Sequence, residues 1–148
     1  MQPLNFPAYD FRFKNSENKV QIFDVIRKKF VVLQPEEWVR QHVVHHLMTD
    51  KSYPQSLINV EKQVKLHSMI KRYDVVVYNS DGTIEILVEC KAPEIKITQT
   101  VFDQIARYNM QLKANYLMVT NGQDHYYCKM DLPEEKYTFL QHIPDFSR

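Results

Sequence analysis

Residues 83–93, which read TIEILVECKAP, decide the fold that the sequence predicts. Their apolar side chains fall on alternate positions, which is the period of a β-strand with two different faces. One face is apolar throughout and consists of Ile84, Ile86, Val88 and Cys90. The other face places Glu89 and Lys91 side by side at the end of the strand. Pro93 then ends the strand, because proline donates no hydrogen bond to a sheet.

The preceding segment, residues 72–78 (RYDVVVY), predicts a strand that pairs with this one through a hairpin. If the four residues NSDG form the loop, Asp74 lies opposite Leu87 and therefore shares the face of Glu89. Asp74 and Glu89 are then diagonal neighbours, roughly 7–8 Å apart at the backbone. At that separation two short carboxylate side chains can meet on one ion.

The segment before the first predicted helix, residues 9–33, alternates apolar or aromatic residues around the polar turn KNSEN. This pattern predicts a hairpin and a third extended piece, which together form an accessory N-terminal sheet. From residue 35 the period changes, because Val39, Val43 and Leu47 recur every fourth residue. Proline at the first helical position and two acids in the first turn support a helix over residues 35–48.

Three consecutive antiparallel strands are predicted at residues 57–66, 69–78 and 83–91, since each segment is short, β-branched and bounded by polar residues. Residues 97–113 return to helical spacing, with Thr98 as a candidate cap. A buried strand follows up to Asn121, and HYYCKM suggests one more strand. Two strands joined through a helix in one sheet are parallel. The predicted fold class is therefore α/β, with an α-β-β-β-α-β core around a mixed central sheet.

A chain of 148 residues suits a single domain. We divide it into accessory N-terminal strands (1–33), a core (34–128) and a C-terminal extension (129–148). The chain has 19 Lys and Arg against 18 Asp and Glu, so its net charge of +1 gives no overall signal for binding nucleic acid or membrane. Any binding of phosphate groups must then be local.

Several classes of protein are excluded by composition. The chain has only two glycines, which leaves no glycine-rich loop for a nucleotide phosphate. The N-terminal segment lacks the pattern of a signal peptide, and no stretch approaches the roughly 20 apolar residues of a membrane span. We therefore expect a cytoplasmic protein with no membrane partner. Cys90 and Cys128 are expected to be free thiols, with Cys90 packed on the apolar face.

Asp74, Glu89 and Lys91 together suit the hydrolysis of a phosphodiester bond. Two carboxylates supply the hard oxygen ligands that Mg²⁺ prefers, and Mn²⁺ can substitute. The ion activates a water molecule, and Lys91 can orient or deprotonate that water and offset charge on the phosphorus. Without metal the two acids would repel each other, so Asp74→Asn is expected to raise thermal stability in the absence of metal. The alternative is that Asp74, Glu89 and Lys91 form a purely structural ion network, which a clear fall in the melting temperature of that variant would favour.

Five ordered motifs carry a family resemblance: PEEWVRQHVVHHL, KRYDVVVY, LVECKAP, DQIARYN and VTNG. Their order and the spacing Asp, fourteen residues, Glu-x-Lys resemble the PD-(D/E)xK nuclease superfamily. More closely, the motifs resemble the N-terminal nuclease domain of type I restriction enzyme R subunits. The resemblance implies a restriction-endonuclease-like fold and metal ligation by Asp74, Glu89 and the backbone carbonyl of Cys90. It also implies that Lys91 is the catalytic lysine and that Gln104 and Tyr108 form the family's QxxxY motif.

Two assignments stay open. Glu36 and Glu37 both could supply the acid of the first helix; we prefer Glu36, which leans toward the sheet, because Glu37 is better placed for capping. Lys71, Arg72 and Tyr108 are candidates for contacts to nucleic acid; for Lys71 and Arg72 the alternative is an ordinary charged surface. Three histidines at helical spacing, His42, His45 and His46, suit a partly packed or solvated helix face better than a zinc site.

The predicted function is a metal-dependent DNA endonuclease related to restriction-modification, an endodeoxyribonuclease that uses Mg²⁺. Its expected partners are DNA and the helicase or specificity subunits of a larger complex. One alternative is a catalytically idle module of the same fold that binds nucleic acid. Another is a protein-interaction module, such as a homodimer that uses the accessory strands as an exposed edge.

Overall fold

A small antiparallel sheet precedes the first helix, as the alternation around KNSEN predicts. Its strands, in sheet order, are β1 (Phe13–Ser16), β2 (Lys19–Asp24) and β3 (Lys29–Val32). Glu17 and Asn18 connect β1 to β2, and both have positive φ angles, of 53° and 63°. Two consecutive residues with positive φ are typical of the tight turn that suits a two-residue hairpin. The polar turn sequence therefore determines how the first two strands pair.

The rest of the chain builds a six-stranded mixed sheet and two α-helices. The structure, a computed structural model, describes residues 1–66 and 68–147, so His67 and Arg148 lie outside the described residues. The elements are α1 (Pro35–His45), β4 (Ile58–Leu66), β5 (Met69–Tyr78), β6 (Ile84–Cys90), α2 (Gln99–Met110), β7 (Tyr116–Thr120), β8 (His125–Asp131) and β9 (Lys136–Leu140). The sheet order is β4-β5-β6-β7-β8-β9.

The predicted α-β-β-β-α-β core is confirmed. Strands β4, β5 and β6 form an antiparallel meander, and α2 connects β6 to β7, which pair in parallel. A strand at residues 125–130 is confirmed as β8, which pairs antiparallel with β7. Strand β9, which is not predicted from the sequence, lies in the segment 129–148 and pairs with β8.

Alternate residues of the central strands pack on opposite faces of this sheet. On one face Val75, Val77, Ile86 and Val88 pack against Val39 and Val43 of α1 and against Leu47, which follows α1. On the other face Val76 and Leu87 pack against Phe102 and Ala106 of α2. Both faces of β5 and β6 are therefore covered by a helix, which explains why their sequences are nearly continuous runs of β-branched residues.

The two helices begin where the sequence indicates. Pro35 is the first residue of α1, and Thr98 caps α2 by accepting a hydrogen bond of 3.2 Å from the Val101 amide. Helix α1 continues into one π-helical turn (His46–Asp50), so the helical segment ends at Asp50 rather than at Met48. No helix in the described residues is long and apolar enough to cross a membrane.

The pairing of β5 with β6 differs from the predicted register. Val76, not Asp74, lies opposite Leu87. The reason is that five residues rather than four separate the paired residues Tyr78 and Ile84, and a bulge follows between Val77 and Tyr78. The register is displaced by two residues in total, and an even displacement leaves the regularly paired residues Val75, Val76 and Val77 on their predicted faces.

Candidate functional site

Asp74 lies where the pairing of β5 with β6 ends and where its pairing with β4 is interrupted between Val75 and Tyr73. Pairing with β6 is regular from Val77 to Val75, and beyond it Asp74 Oδ2 accepts a 2.7 Å hydrogen bond from the backbone amide of Cys90. On the other side, Glu61 of β4 has a φ of 52°, in the left-handed region. Such a residue interrupts a strand and costs on the order of 1–3 kcal/mol, which functional sites often carry. The Asp74 carboxylate thus binds the Cys90 amide just beyond the last regular pair of β5 and β6.

An arginine of α1 holds the other oxygen of Asp74. Arg40 Nη2 donates to Asp74 Oδ1 at 2.8 Å, and Arg40 Nη1 donates to Glu37 Oε1 at 2.7 Å. The same Nη2 lies 3.2 Å from Glu61 Oε1. The Arg40 side chain is 6% exposed. Burial opposes its positive charge, but Glu37 and Asp74 outweigh burial and raise the pKa of Arg40.

The two adjacent acids of α1 have different surroundings. Glu37 is buried and accepts hydrogen bonds from Arg27 at 2.8 Å, from Arg40 at 2.7 Å and from Gln41 at 3.0 Å. It does not cap α1, contrary to its predicted suitability, because these three donors engage its carboxylate. Glu36 has a half-exposed side chain. Its pKa is raised by burial and by the Asp74 carboxylate, while the Arg40 and Lys91 charges oppose the rise.

Glu89 is paired from the α2 side of the sheet. Lys71 Nζ lies 2.9 Å from Glu89 Oε1 and 4.7 Å from the ring centre of Tyr108, a residue of α2. Lys71 Nζ also lies 4.9 Å from the ring centre of Tyr73. Burial and, more weakly, the charge of Asp74 raise the pKa of Glu89, whereas Lys71 lowers it. The two strand acids are therefore held by cations on opposite faces of the sheet.

Cys90 and Lys91 follow Glu89 at the end of β6. The Cys90 thiol packs in the apolar core on the α1 face, and burial raises its pKa well above the usual range. A buried thiol of this kind is a poor nucleophile. The Lys91 amide donates to the Thr120 carbonyl at 2.8 Å, which fixes the end of β6 against β7. The ammonium charge of Lys91 opposes the rise in the pKa of both Glu36 and Glu89.

The other residues that the sequence proposed for the site lie farther from the two strand acids or make fewer contacts with them. Tyr108 is partly exposed beside Lys71, whereas Gln104 is exposed on α2 and its side chain makes no hydrogen bond among the described residues. The Arg72 side chain is 58% exposed and lies 3.8 Å from Glu61. The structure brings together Glu36, Asp74, Glu89, Lys91 and Lys71; it does not bring Gln104 into a contact with them.

The three histidines of the first helical segment pack against aromatic rings or a carboxylate. His42 and His45 lie 4.8 and 4.7 Å from the ring centre of Phe11. Burial lowers the pKa of both imidazoles. His46 Nδ1 lies 2.8 Å from Asp50 Oδ2. These contacts fit the interpretation of a partly packed helix face.

The donor chemistry of the site fits a hard divalent cation. Within residues 1–66 and 68–147, no group of three or more His, Cys, Asp or Glu side chains is arranged to hold a metal ion. The candidate donors here are instead two carboxylates, of Asp74 and Glu89, and one backbone carbonyl. Mg²⁺ commonly binds proteins through one or two carboxylates and completes its shell with water or substrate phosphate. Each carboxylate has about four lone-pair positions, so pairing with Arg40 or Lys71 leaves further positions on each.

Two residues of the site were not predicted. Arg40 follows Glu37 by three residues and Glu36 by four, which is the spacing of ion pairs on one helix face. That spacing is the signal that places Arg40 on the same side of α1 as the preferred acid. Glu61 gave no comparable signal, because its left-handed backbone breaks the alternation of the strand that contains it.

Comparison with known proteins adds one match. A family model described as type I restriction enzyme R protein N terminus (HSDR_N) matches residues 35–144. The match begins at the first residue of α1, extends beyond β9 and includes all the site residues described above. No curated protein matches the chain significantly.

Proposed function

The chain belongs to the type I restriction enzyme R protein N-terminal family, and on that premise we propose that it is a metal-dependent endodeoxyribonuclease domain that hydrolyses phosphodiester bonds. The observation that carries the proposal is the meeting of Asp74, Glu89 and Lys91 where the pairing of β5 with β6 ends. Asp74 Oδ2 accepts a 2.7 Å hydrogen bond from the amide of Cys90, the residue between Glu89 and Lys91, which brings the three residues to one place in the sheet. The expected partners are DNA and other subunits of a restriction complex, including helicase and specificity functions.

Asp74, Glu89 and the carbonyl of Cys90 would hold Mg²⁺ or Mn²⁺. When bound, the ion would polarise the phosphate and lower the pKa of a water molecule. Lys91 supplies a positive charge at the same strand end, where it orients the attacking water and offsets negative charge on the phosphate. Glu36 is the further acid of the site, since its carboxylate interacts with both Asp74 and Lys91.

Lys71, Arg72 and Tyr108 provide the surface over which nucleic acid approaches. Arg72 is largely exposed, and Lys71 lies between Glu89 and the partly exposed ring of Tyr108. Cations of this kind contact phosphate groups without reading sequence. Gln104 lies one helical turn before Tyr108, on the same side of α2.

A second candidate function is a nucleic-acid-binding module that does not cut. The observation that favours it is that both strand acids have a protein cation: Arg40 at 2.8 Å from Asp74, and Lys71 at 2.9 Å from Glu89. A site neutralised in this way is stable without metal. Metal-independent binding of DNA without cleavage would support this candidate.

The decisive experiment is a cleavage assay on supercoiled plasmid and linear DNA with Mg²⁺, with Mn²⁺ and with EDTA. Lys91→Ala is compared with Lys96→Ala, which removes an exposed lysine five residues along. We expect cleavage by the parent and by Lys96→Ala, none in EDTA, and a loss of about 10²-fold or more for Lys91→Ala. Equal cleavage by parent and Lys91→Ala would refute the assignment, and DNA binding without any cleavage would select the idle module.

A further inference from the structure

Arg40 is the most enclosed charged side chain of the site. Its guanidinium group contacts carboxylates from three elements: Glu37 of α1, Glu61 of β4 and Asp74 of β5. Two different nitrogens make the shortest contacts, Nη1 to Glu37 and Nη2 to Asp74. A planar guanidinium group that bridges two carboxylates fixes their relative positions, which a single ammonium group does not.

Arg40 is itself held from the side of the accessory sheet. Glu37 also accepts from Arg27 Nη2 at 2.8 Å, and Arg27 Nε donates to the fully buried Asp24 at 2.6 Å. The chain of contacts therefore runs from β2 through Arg27, Glu37 and Arg40 to Asp74. Charged groups that are buried and hydrogen-bonded at both ends have little freedom to move.

We propose that Arg40, anchored by Glu37, is a positioning residue that holds the Asp74 carboxylate in place for metal binding. This inference rests on the proposed function. Asp74 has one oxygen on the Cys90 amide and the other on Arg40, so both of its oxygens have fixed partners. The Asp74 carboxylate thereby has a fixed position in a site that also contains the carboxylates of Glu36 and Glu89.

The proposal predicts the sign of a change in metal affinity. If Arg40 were only a competing cation, its removal would strengthen Mn²⁺ binding, because a positive charge beside Asp74 would be lost. If Arg40 positions Asp74, its removal weakens Mn²⁺ binding. Groups that orient a metal ligand typically change affinity by 10–100-fold when they are mutated. The two explanations therefore give opposite results in one titration.

The test is calorimetric titration of the whole chain with Mn²⁺ for the parent, Arg40→Gln, Arg40→Lys and Arg72→Gln. Arg72→Gln is the charge control, since it removes a nearby exposed arginine that does not touch Asp74. We expect about tenfold weaker Mn²⁺ binding for both Arg40 variants, and unchanged or tighter binding for Arg72→Gln. Parent-like or tighter binding by folded Arg40→Lys overturns the proposal; this variant decides the question if Arg40→Gln does not fold.

A thermal measurement without metal separates this inference from the proposed function. If the parent binds no Mn²⁺, the metal-dependent function fails while the Arg40–Asp74 link is still measurable. Arg40→Lys should then lower the melting temperature by roughly 4–8 °C in the parent, and by less than half of that in an Asp74→Asn background. Equal lowering in both backgrounds would show that Arg40 does not act through Asp74.

Discussion

The thermal stability of the Asp74→Asn variant without metal tests whether repulsion among the acids or their pairing with protein cations dominates at the site. From the sequence alone, the repulsion between two carboxylates predicts that this substitution raises stability. The structure reverses the expected sign, because Arg40 donates to one oxygen of Asp74 and the Cys90 amide donates to the other. An asparagine has one acceptor oxygen and one amide donor. One of the two N–H partners would then face another donor instead of an acceptor.

The magnitude follows from the contacts that are lost and the repulsion that is relieved. A hydrogen bond to a charged group contributes roughly 1.5–3 kcal/mol, and the Asp74 side chain is only 13% exposed. Relief of the repulsion with Glu36 and Glu89 offsets part of this loss. We expect the free energy of unfolding to fall by about 2 kcal/mol and the melting temperature by roughly 4–8 °C in a chain of this length.

The assay is differential scanning calorimetry in EDTA at neutral pH, with urea unfolding as a second measure. The matched control is Asp145→Asn, because Asp145 is largely exposed and pairs only with Lys51, at 3.5 Å, among the described residues. That variant should melt within a degree or two of the parent, as most exposed substitutions do. A higher melting temperature for Asp74→Asn would refute the argument, since it would mean that repulsion among the acids outweighs the contacts of Arg40 and Cys90.

Three further outcomes are expected. Burial disfavours the ionised form of Asp24, but hydrogen bonds from Arg27 and Ile26 and the positive charge of Arg27 outweigh burial and lower the pKa of Asp24 below 3.8. The stability that these contacts contribute is therefore present above pH 3.8. It is lost as the pH falls through the lower pKa of the folded state. Urea unfolding of Asp24→Asn should accordingly show a weaker acid dependence than the parent, and parallel curves would contradict this. Thr98→Ala should lower the unfolding free energy by about 1 kcal/mol through loss of the α2 cap, and an unchanged melting temperature would mean that water replaces the hydroxyl. In Cys128→Ala, a thiol reagent should label Cys90 only in urea, because the side chain is buried and its pKa is raised; rapid labelling in native buffer would disprove that burial.

The fold was largely predictable because the sequences of its central strands indicate both the two-residue period of a β-strand and the burial of their side chains. β5 and β6 are short, β-branched and covered by a helix on each face, so tertiary packing agrees with local preference. Strand β9 was missed because it is mostly exposed and has only a weak alternation of buried and exposed residues. Its pairing with β8 is a contact of the folded sheet, and local sequence preference does not report such a contact.

The register was predicted wrongly for a different reason. The sequence NSDG is typical of a four-residue loop. In the structure Thr83 also belongs to the turn, because the Asn79 amide donates a hydrogen bond of 2.8 Å to the Thr83 carbonyl. Together with the bulge after Val77, this moves the pairing by two residues. Because the side-chain period of a strand is also two, this shift alone leaves the alternation of the paired residues unchanged. The predicted shared face of Asp74 and Glu89 is nevertheless wrong, because Asp74 lies beyond the last regular pair and contacts Arg40 of α1, whereas Glu89 contacts Lys71 on the α2 side.

The alternation of residues along β6 predicts which carboxylates and which lysine share a strand end, but it does not predict what neutralises them. Arg40 precedes Asp74 by 34 residues, and Lys71 belongs to a different strand from Glu89. Those two ion pairs determine whether the acids repel each other or are held in place, and hence the sign of every stability change at the site. The sequence therefore locates the acids, whereas only the folded arrangement shows that each already has a cation, one from α1 and one from β5. Any added metal ion would bind acids that are already paired, which is why the response of Mn²⁺ affinity to Arg40 is more informative than the presence of the carboxylates alone.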